Sequence, residues 1–201
     1  LSIRRQRQMC IRDRSDTESQ SGFMEEMEEY KMVLMIDTTK EQVGKQIAEG
    51  LLRSGGNSAE MELIDTTGMN IYHCVGCNYC WLKTPGICAI KDDYAPIKKK
   101  MSKASQVWLI SDTHFGFISY RTKNIADRVM SLVTMYLKIK DGQMRHVMRY
   151  DHQPDIGIIY TGDGDQAYLE QWCKRTALNL ESNSLGAFPA EHRKEAVLCM
   201  L

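Results

Sequence analysis

The chain has 201 residues, enough for one domain with a full hydrophobic core. Its 26 basic and 26 acidic side chains cancel, which argues against nucleic acid as a partner, because such binders carry a surplus of Lys and Arg. No apolar run approaches the length of a bilayer span and no apolar stretch follows the basic N-terminus as a signal peptide requires, so the expectation is a cytoplasmic protein with no membrane partner.

Residues 1–15 (LSIRRQRQMCIRDRS) show neither hydrophobic periodicity nor turn logic and are similar to a translated sequencing-adapter remnant. Residues 16–30 are polar and acidic. The segment 1–30 is therefore expected to be disordered or artefactual, with the natural start at Met24, Met27 or Met32, or missing. Cys10 and the arginines around it are set aside.

The folded pattern begins at Lys31. The apolar run 32–36, ending at Asp37, predicts a strand buried on both faces. A helix should follow, with Thr38 and Glu41 at capping-box spacing, Val43, Ile47 and Leu51 on one face, and Ser54-Gly55-Gly56 as its stop. Residues 60–65 alternate as a second strand. A cysteine-rich segment comes next and closes at Asp92-Asp93, two carboxylates suited to the N-terminus of a helix running to about Met101. Residues 106–111 form a third strand, followed by the loop DTHFGFISY. A helix is expected from about Thr122, burying Ile125, Val129, Leu132 and Val133. Asp141-Gly142 marks a two-residue hairpin turn. Residues 155–160 predict a fourth strand, TGDGD a loop, 166–180 a helix, 183–189 a fifth strand, and a last helix begins near Ala190. Strands alternating with helices imply an α/β fold with a parallel sheet covered on both faces. Ligands then bind at the carboxyl ends of the strands, at the topological switch point.

Of seven cysteines, four crowd into positions 74, 77, 80 and 88. Thiolates are soft ligands, and two-residue gaps between the first three suit a compact iron–sulfur cluster, with Thr84-Pro85-Gly86 returning Cys88 as the fourth ligand. Zinc usually takes two separated pairs. Uncoordinated thiols beside a cofactor are the third possibility. His73 adjoins Cys74, and Trp81 offers a shield or a core side chain. Arg145, His146 and Arg149 offer either a nucleotide-phosphate site or a solvated hairpin edge.

The stretch 74–93 (CVGCNYCWLKTPGICAIKDD) resembles flavodoxin-family proteins of the NADPH-dependent FMN reductase and iron–sulfur flavoprotein type, as do the strand QVWLIS, the KNIADR helix (Lys123–Arg128) and residues 142–150. The resemblance covers about residues 31–190. It implies a flavodoxin-like three-layer sandwich of about five parallel strands in the order 2-1-3-4-5, and a homo-oligomer. It also implies FMN at the carboxyl edge of the sheet, NAD(P)H as co-substrate, and in one branch a [4Fe-4S] cluster on Cys74, Cys77, Cys80 and Cys88. The loop after the third strand would flank the flavin ring with Asp112, Thr113, His114, Phe115 and Gly116. The loop after the fourth would add Thr161, Gly162, Asp163 and Gly164. The phosphate loop departs from the family: where a G-S-P-R-like loop is usual, this chain has D-T-T-K-E-Q, whose Asp37 would repel a phosphate. Thr38, Thr39 and Lys40 at the helix N-terminus remain the candidate anion binders; the competing reading is a helix cap with no phosphate.

Three functions follow. The leading one is an FMN-dependent oxidoreductase passing electrons from NAD(P)H to a small acceptor or through a cluster. The second is a non-catalytic electron carrier served by a protein partner. The third is a degenerate flavodoxin-like module whose cysteines hold zinc or sense oxidants.

Overall fold

All five residues of the first strand, β1 (Val33–Asp37), are buried, as expected of a run covered on both faces. The computed structural model describes residues 32–201, so the expectations for residues 1–30 lie outside the described range. Four further strands run parallel to β1: β2 (Met61–Asp65), β3 (Gln106–His114), β7 (Asp155–Thr161) and β8 (Ser184–Pro189). Their spatial order is β2-β1-β3-β7-β8, which is 2-1-3-4-5 among the parallel strands.

Alternate residues of each strand face opposite layers. Met35, Trp108, Ile110 and Ile159 face helices α1 (Val43–Arg53) and α6 (Arg193–Met200). On the other side, Leu34, Ile36 and Leu109 pack on α3 (Tyr94–Met101) and on Ile125 of α4 (Tyr120–Asp127). Ile158 and Tyr160 pack there on Leu169 and Cys173 of α5 (Gln166–Asn179). The result is a three-layer sandwich. Trp108 lies opposite Gly157 in the β3–β7 register, and a Cβ at Gly157 would stand 2.4 Å from the indole. Only glycine admits that ring.

The structure departs from the sequence reading at three places. The segment DTHFGFISY is not a simple loop. β3 continues to His114, turns through Phe115 and Gly116 at φ 54° and 77°, and returns as the antiparallel β4 (Phe117–Ile118). The polar residues Asp112 and Thr113 stay in the strand because both find partners on β7, described below. The helix expected to reach Val133 stops at Asp127. A short 3-10 stretch, Arg128–Leu132, follows, and β-branched Val133 opens strand β5 (Val133–Lys140). Finally, the capping box of Thr38 and Glu41 is absent: the cap residue Gln42 has φ 53°, in the left-handed region, and its side chain makes no cap.

β5 and β6 (Gln143–Met148) form the expected hairpin, a two-stranded sheet separate from the main one. Asp141 and Gly142 sit at φ 52° and 70°, as a type I′ turn needs.

Candidate functional site

The loop after β1 is packed inward. Asp37, Thr38 and Thr39 are each 1% exposed. The Asp37 carboxylate accepts hydrogen bonds from the Thr39 N–H (2.9 Å) and hydroxyl (2.6 Å) through Oδ1, and from the Gly44 N–H (2.6 Å) through Oδ2. Thr39 Oγ1 in turn accepts from the Val43 N–H at 3.1 Å. The Thr38 hydroxyl donates to the Ile110 carbonyl and lies 2.6 Å from Thr122 Oγ1. Thus Asp37, not Thr38, caps α1. Of the three candidate anion binders only Lys40 is exposed to solvent.

Next to this loop the ends of β3 and β7, with the segments that follow β1 and β8, line an open crevice of about 560 Å³. It brings together Lys40, Asp112, Thr113, His114, Thr161 and Gly162. Asp112 ties the strands: its carboxylate accepts from the Lys40 N–H (3.1 Å) and from Thr161 Oγ1 (2.9 Å). Thr113 donates to the Thr161 carbonyl at 2.6 Å, and Asp163 Oδ1 lies 3.4 Å from the same hydroxyl. Besides Thr38 and Thr39, four predicted residues fall outside the crevice lining: Asp163, Phe115, Gly116 and Gly164. Phe115 is fully exposed at the hairpin tip. The Gly116 carbonyl accepts from the Asp165 N–H. Gly164 sits against Tyr160, where a Cβ would approach to 2.4 Å. Glu191 and Arg193 also line the crevice; in the sequence they are ordinary charges near a helix start, and nothing there singles them out.

The cysteine segment runs between β2 and α3, with one short helix, α2 (Tyr79–Leu82). All four cysteines are free thiols; Cys74 and Cys77 are exposed, Cys80 and Cys88 half-buried. The segment is fastened to the α4 side of the sandwich. Arg128 donates to the carbonyls of Tyr72 and Ile90, Asn124 to that of Ile71, and Arg149 to that of Cys80. The Trp81 indole donates to the Met130 carbonyl and its ring lies 4.9 Å from that of His146. Asp92 accepts from the N–H groups of Tyr72 and Tyr94 and pairs with Arg128, both side chains being 1% exposed. Burial pushes the Cys80 thiol up, and the neighbouring Cys88, Cys74 and Cys77 push it further. Burial disfavours the Arg128 charge, but Asp92 and Cys88 more than restore it. The four thiols therefore share one electrostatic neighbourhood, with a buried guanidinium at its edge. Among the described residues no three His, Cys, Asp or Glu side chains stand at metal-ligating spacing. A second cavity of about 620 Å³ opens beside Cys74 and Gly76, walled by Arg145, His146 and Trp172. Arg145 is buried and its Nε has no hydrogen-bond partner; it is not a solvated hairpin edge.

No protein-family model matches the chain. It is 35% identical over 82 residues to an iron–sulfur flavoprotein of Methanocaldococcus jannaschii, covering 41% of this chain and 42% of that protein. It is 36% identical over 69 residues to an iron–sulfur flavoprotein of Archaeoglobus fulgidus, covering 34% and 33%. The matches thus span less than half of either relative. Among solved structures, a flavone reductase superimposes at TM-score 0.52 and 14% identity, over 84% of this chain and 60% of that one. An NAD(P)H:quinone oxidoreductase from Methanothermobacter marburgensis superimposes at 0.51 and 10% identity, over 84% and 94%. The fold is flavodoxin-like.

In a flavodoxin-like sheet the switch point lies between β1 and β3, where successive helices leave to opposite faces. Here that boundary is closed on the β1 side. The N–H groups of Val43 and Gly44, which would meet a phosphate, already serve Thr39 and Asp37. The loop thus offers a phosphate neither of these two N–H groups, and Thr38 and Thr39 are turned inward, away from solvent. The cysteine segment does fit a soft-metal cluster in the chemistry of its donors, four thiols from one stretch of chain. No helix among the described residues is long and apolar enough to cross a membrane.

Proposed function

We propose that this chain is a flavin-linked oxidoreductase of the iron–sulfur flavoprotein kind, with the segment Cys74–Cys88 as its electron-carrying centre. The reading is carried by one observation: four free thiols from one fifteen-residue stretch, Cys74 to Cys88, stand on a flavodoxin-like scaffold beside the buried Arg128–Asp92 pair. The sequence likeness to two iron–sulfur flavoproteins supports it. Cys74, Cys77, Cys80 and Cys88 would hold a [4Fe-4S] cluster, which supplies one-electron storage when bound.

The chain's own residues have definable parts. Arg128 offsets thiolate charge at Cys88, and Asp92 keeps Arg128 in place. Trp81 covers the segment on the hairpin side. Asp112, Thr113, His114, Thr161 and Gly162 line the crevice where a flavin ring is received at the sheet edge. NAD(P)H is the proposed donor. The acceptor is a small molecule or a protein partner, and a small one would reach Cys74 through the cavity lined by Arg145 and Trp172. The assembly is proposed to be a homo-oligomer.

A visible spectrum of anaerobically purified protein tests the reading, with iron, sulfide, zinc and flavin quantified on the same sample. Broad visible absorbance and about four irons and four sulfides per chain are expected, together with binding of added flavin. Zinc without iron or sulfide, and no flavin uptake, would leave the reading without support.

A further inference from the structure

We infer that Asp37 closes the loop after β1 to phosphate, so that the flavin-class ligand at this sheet edge is selected by its ring system and not by a terminal phosphate. The inference rests on the flavin reading above for the ligand class, but not for the closure of the loop.

The N-terminus of a helix at the carboxyl edge of a parallel sheet presents free N–H groups and the positive end of the helix dipole, and an anion ordinarily takes that place. Here the chain supplies the anion itself. One Asp37 oxygen takes the Gly44 N–H at 2.6 Å and the other takes both donors of Thr39. The Val43 N–H is spent on Thr39 Oγ1. The carboxylate is sealed, at 1% exposure.

A second observation agrees. A Cβ added at Gly44 would stand 2.8 Å from Asp37 Oδ2 and 2.7 Å from Leu63. The absence of a side chain at Gly44 is what lets the carboxylate seat against the first turn of α1. The Lys45 ammonium is committed to Gln42 Oε1, whose amide reaches Asp65. The Lys40 backbone N–H is held by Asp112, and the Lys40 side chain is exposed on the crevice side of the loop. An incoming phosphate would have to expel a buried carboxylate from three hydrogen bonds, two of them of 2.6 Å, or lie against it with like charge.

The test uses the purified chain with FMN, riboflavin and inorganic phosphate as probes. Flavin affinities are read by fluorescence quenching. Phosphate is followed by the ¹⁵N amide shifts of Val43 and Gly44. The expected result is FMN and riboflavin affinities within about threefold of each other, and no movement of either amide with phosphate. Asp37→Ser empties the position, so the variant is expected to prefer FMN by about tenfold or more, and phosphate should shift Gly44. A wild-type preference for FMN of about tenfold or more, or a phosphate shift at Val43 or Gly44 in the wild type, overturns the inference and leaves the flavin reading standing. If neither protein quenches either flavin, the flavin reading falls, and the amide shifts alone decide whether the loop is closed. Should Asp37→Ser not fold, the wild-type affinity ratio and phosphate titration decide without it.

Discussion

Asp92 is bound by three donors from three parts of the chain: the N–H of Tyr72 before the cysteines, the N–H of Tyr94 at the start of α3, and the guanidinium of Arg128 after α4. Arg128 also lies over the Tyr94 ring, 4.2 Å from its centroid. Removing one partner of such a pair leaves a charge buried and uncompensated, at a cost of about 3–5 kcal/mol. Asp92→Ala is therefore expected to lower the unfolding free energy by about that amount in urea titration. A loss below about 1 kcal/mol would show that the pair is not buried in solution. The cysteines divide by access. With metal removed and reductant present, iodoacetamide should label exposed Cys74, Cys77 and Cys199 first among the described cysteines. Cys173, fully buried and with its thiol pushed up by burial, should label only on unfolding. Peptide mass spectrometry at increasing times reads the order, and early labelling of Cys173 would contradict the core described here.

At the scale of elements, the contact between β3 and β7 turns on Trp108 and Gly157. Gly157→Ala would overpack the sheet by a methyl group already 2.4 Å from the indole. Such insertions cost about 1–3 kcal/mol, so the variant's thermal midpoint should fall by several degrees; an unchanged midpoint would mean that Trp108 can move away. The parallel strands were legible in the sequence because buried runs such as MVLMI and DIGIIY have no other reading at that length. Asp141-Gly142 was legible because few dipeptides accept two positive φ values in succession. The extension of β3 was hidden, since Asp112 and Thr113 look like loop residues until Thr161 arrives from 48 or more positions away. The end of α4 was hidden for a like reason: Arg128 leaves the helical pattern in a region where its partners, Asp92, Tyr72 and Ile90, come from the cysteine segment. The thiol spacing stood out in sequence, but the inward turn of Thr38 and Thr39 did not, because it depends on Asp37 reaching forward to Gly44. Glu191 and Arg193 joined the crevice only through the sheet order.

At the scale of the molecule, three carboxyl groups among the described residues are held below their ordinary range. Hydrogen bonds from Thr67 lower Asp65. Burial raises Asp92, but Arg128 and two backbone N–H groups lower it by more. Lys138 lowers Glu181, with help from Lys140. A carboxylate with a depressed folded pKa stabilises the fold above its unfolded value, near 4. That contribution is lost as pH falls through the folded value. Urea titrations at pH 6, 5, 4 and 3 should show stability level from 6 to 5 on this account and falling below about 4. Equal stability at pH 6 and 3 would contradict the assignment of these three groups.

Arg149 also sets an order of events. Just beyond β6, it donates to the carbonyls of Ser131 and Val133 on one side of the hairpin and to that of Cys80, 69 positions away, on the other. The near contacts close a loop of fewer than twenty residues; the far one closes a loop more than three times as long, and longer loops close at greater entropic cost. The hairpin should therefore assemble first and present a ready-made clasp onto which the thiol segment settles last. Ligand loading then meets a chain whose scaffold is finished and whose four donors are the final part to be gathered.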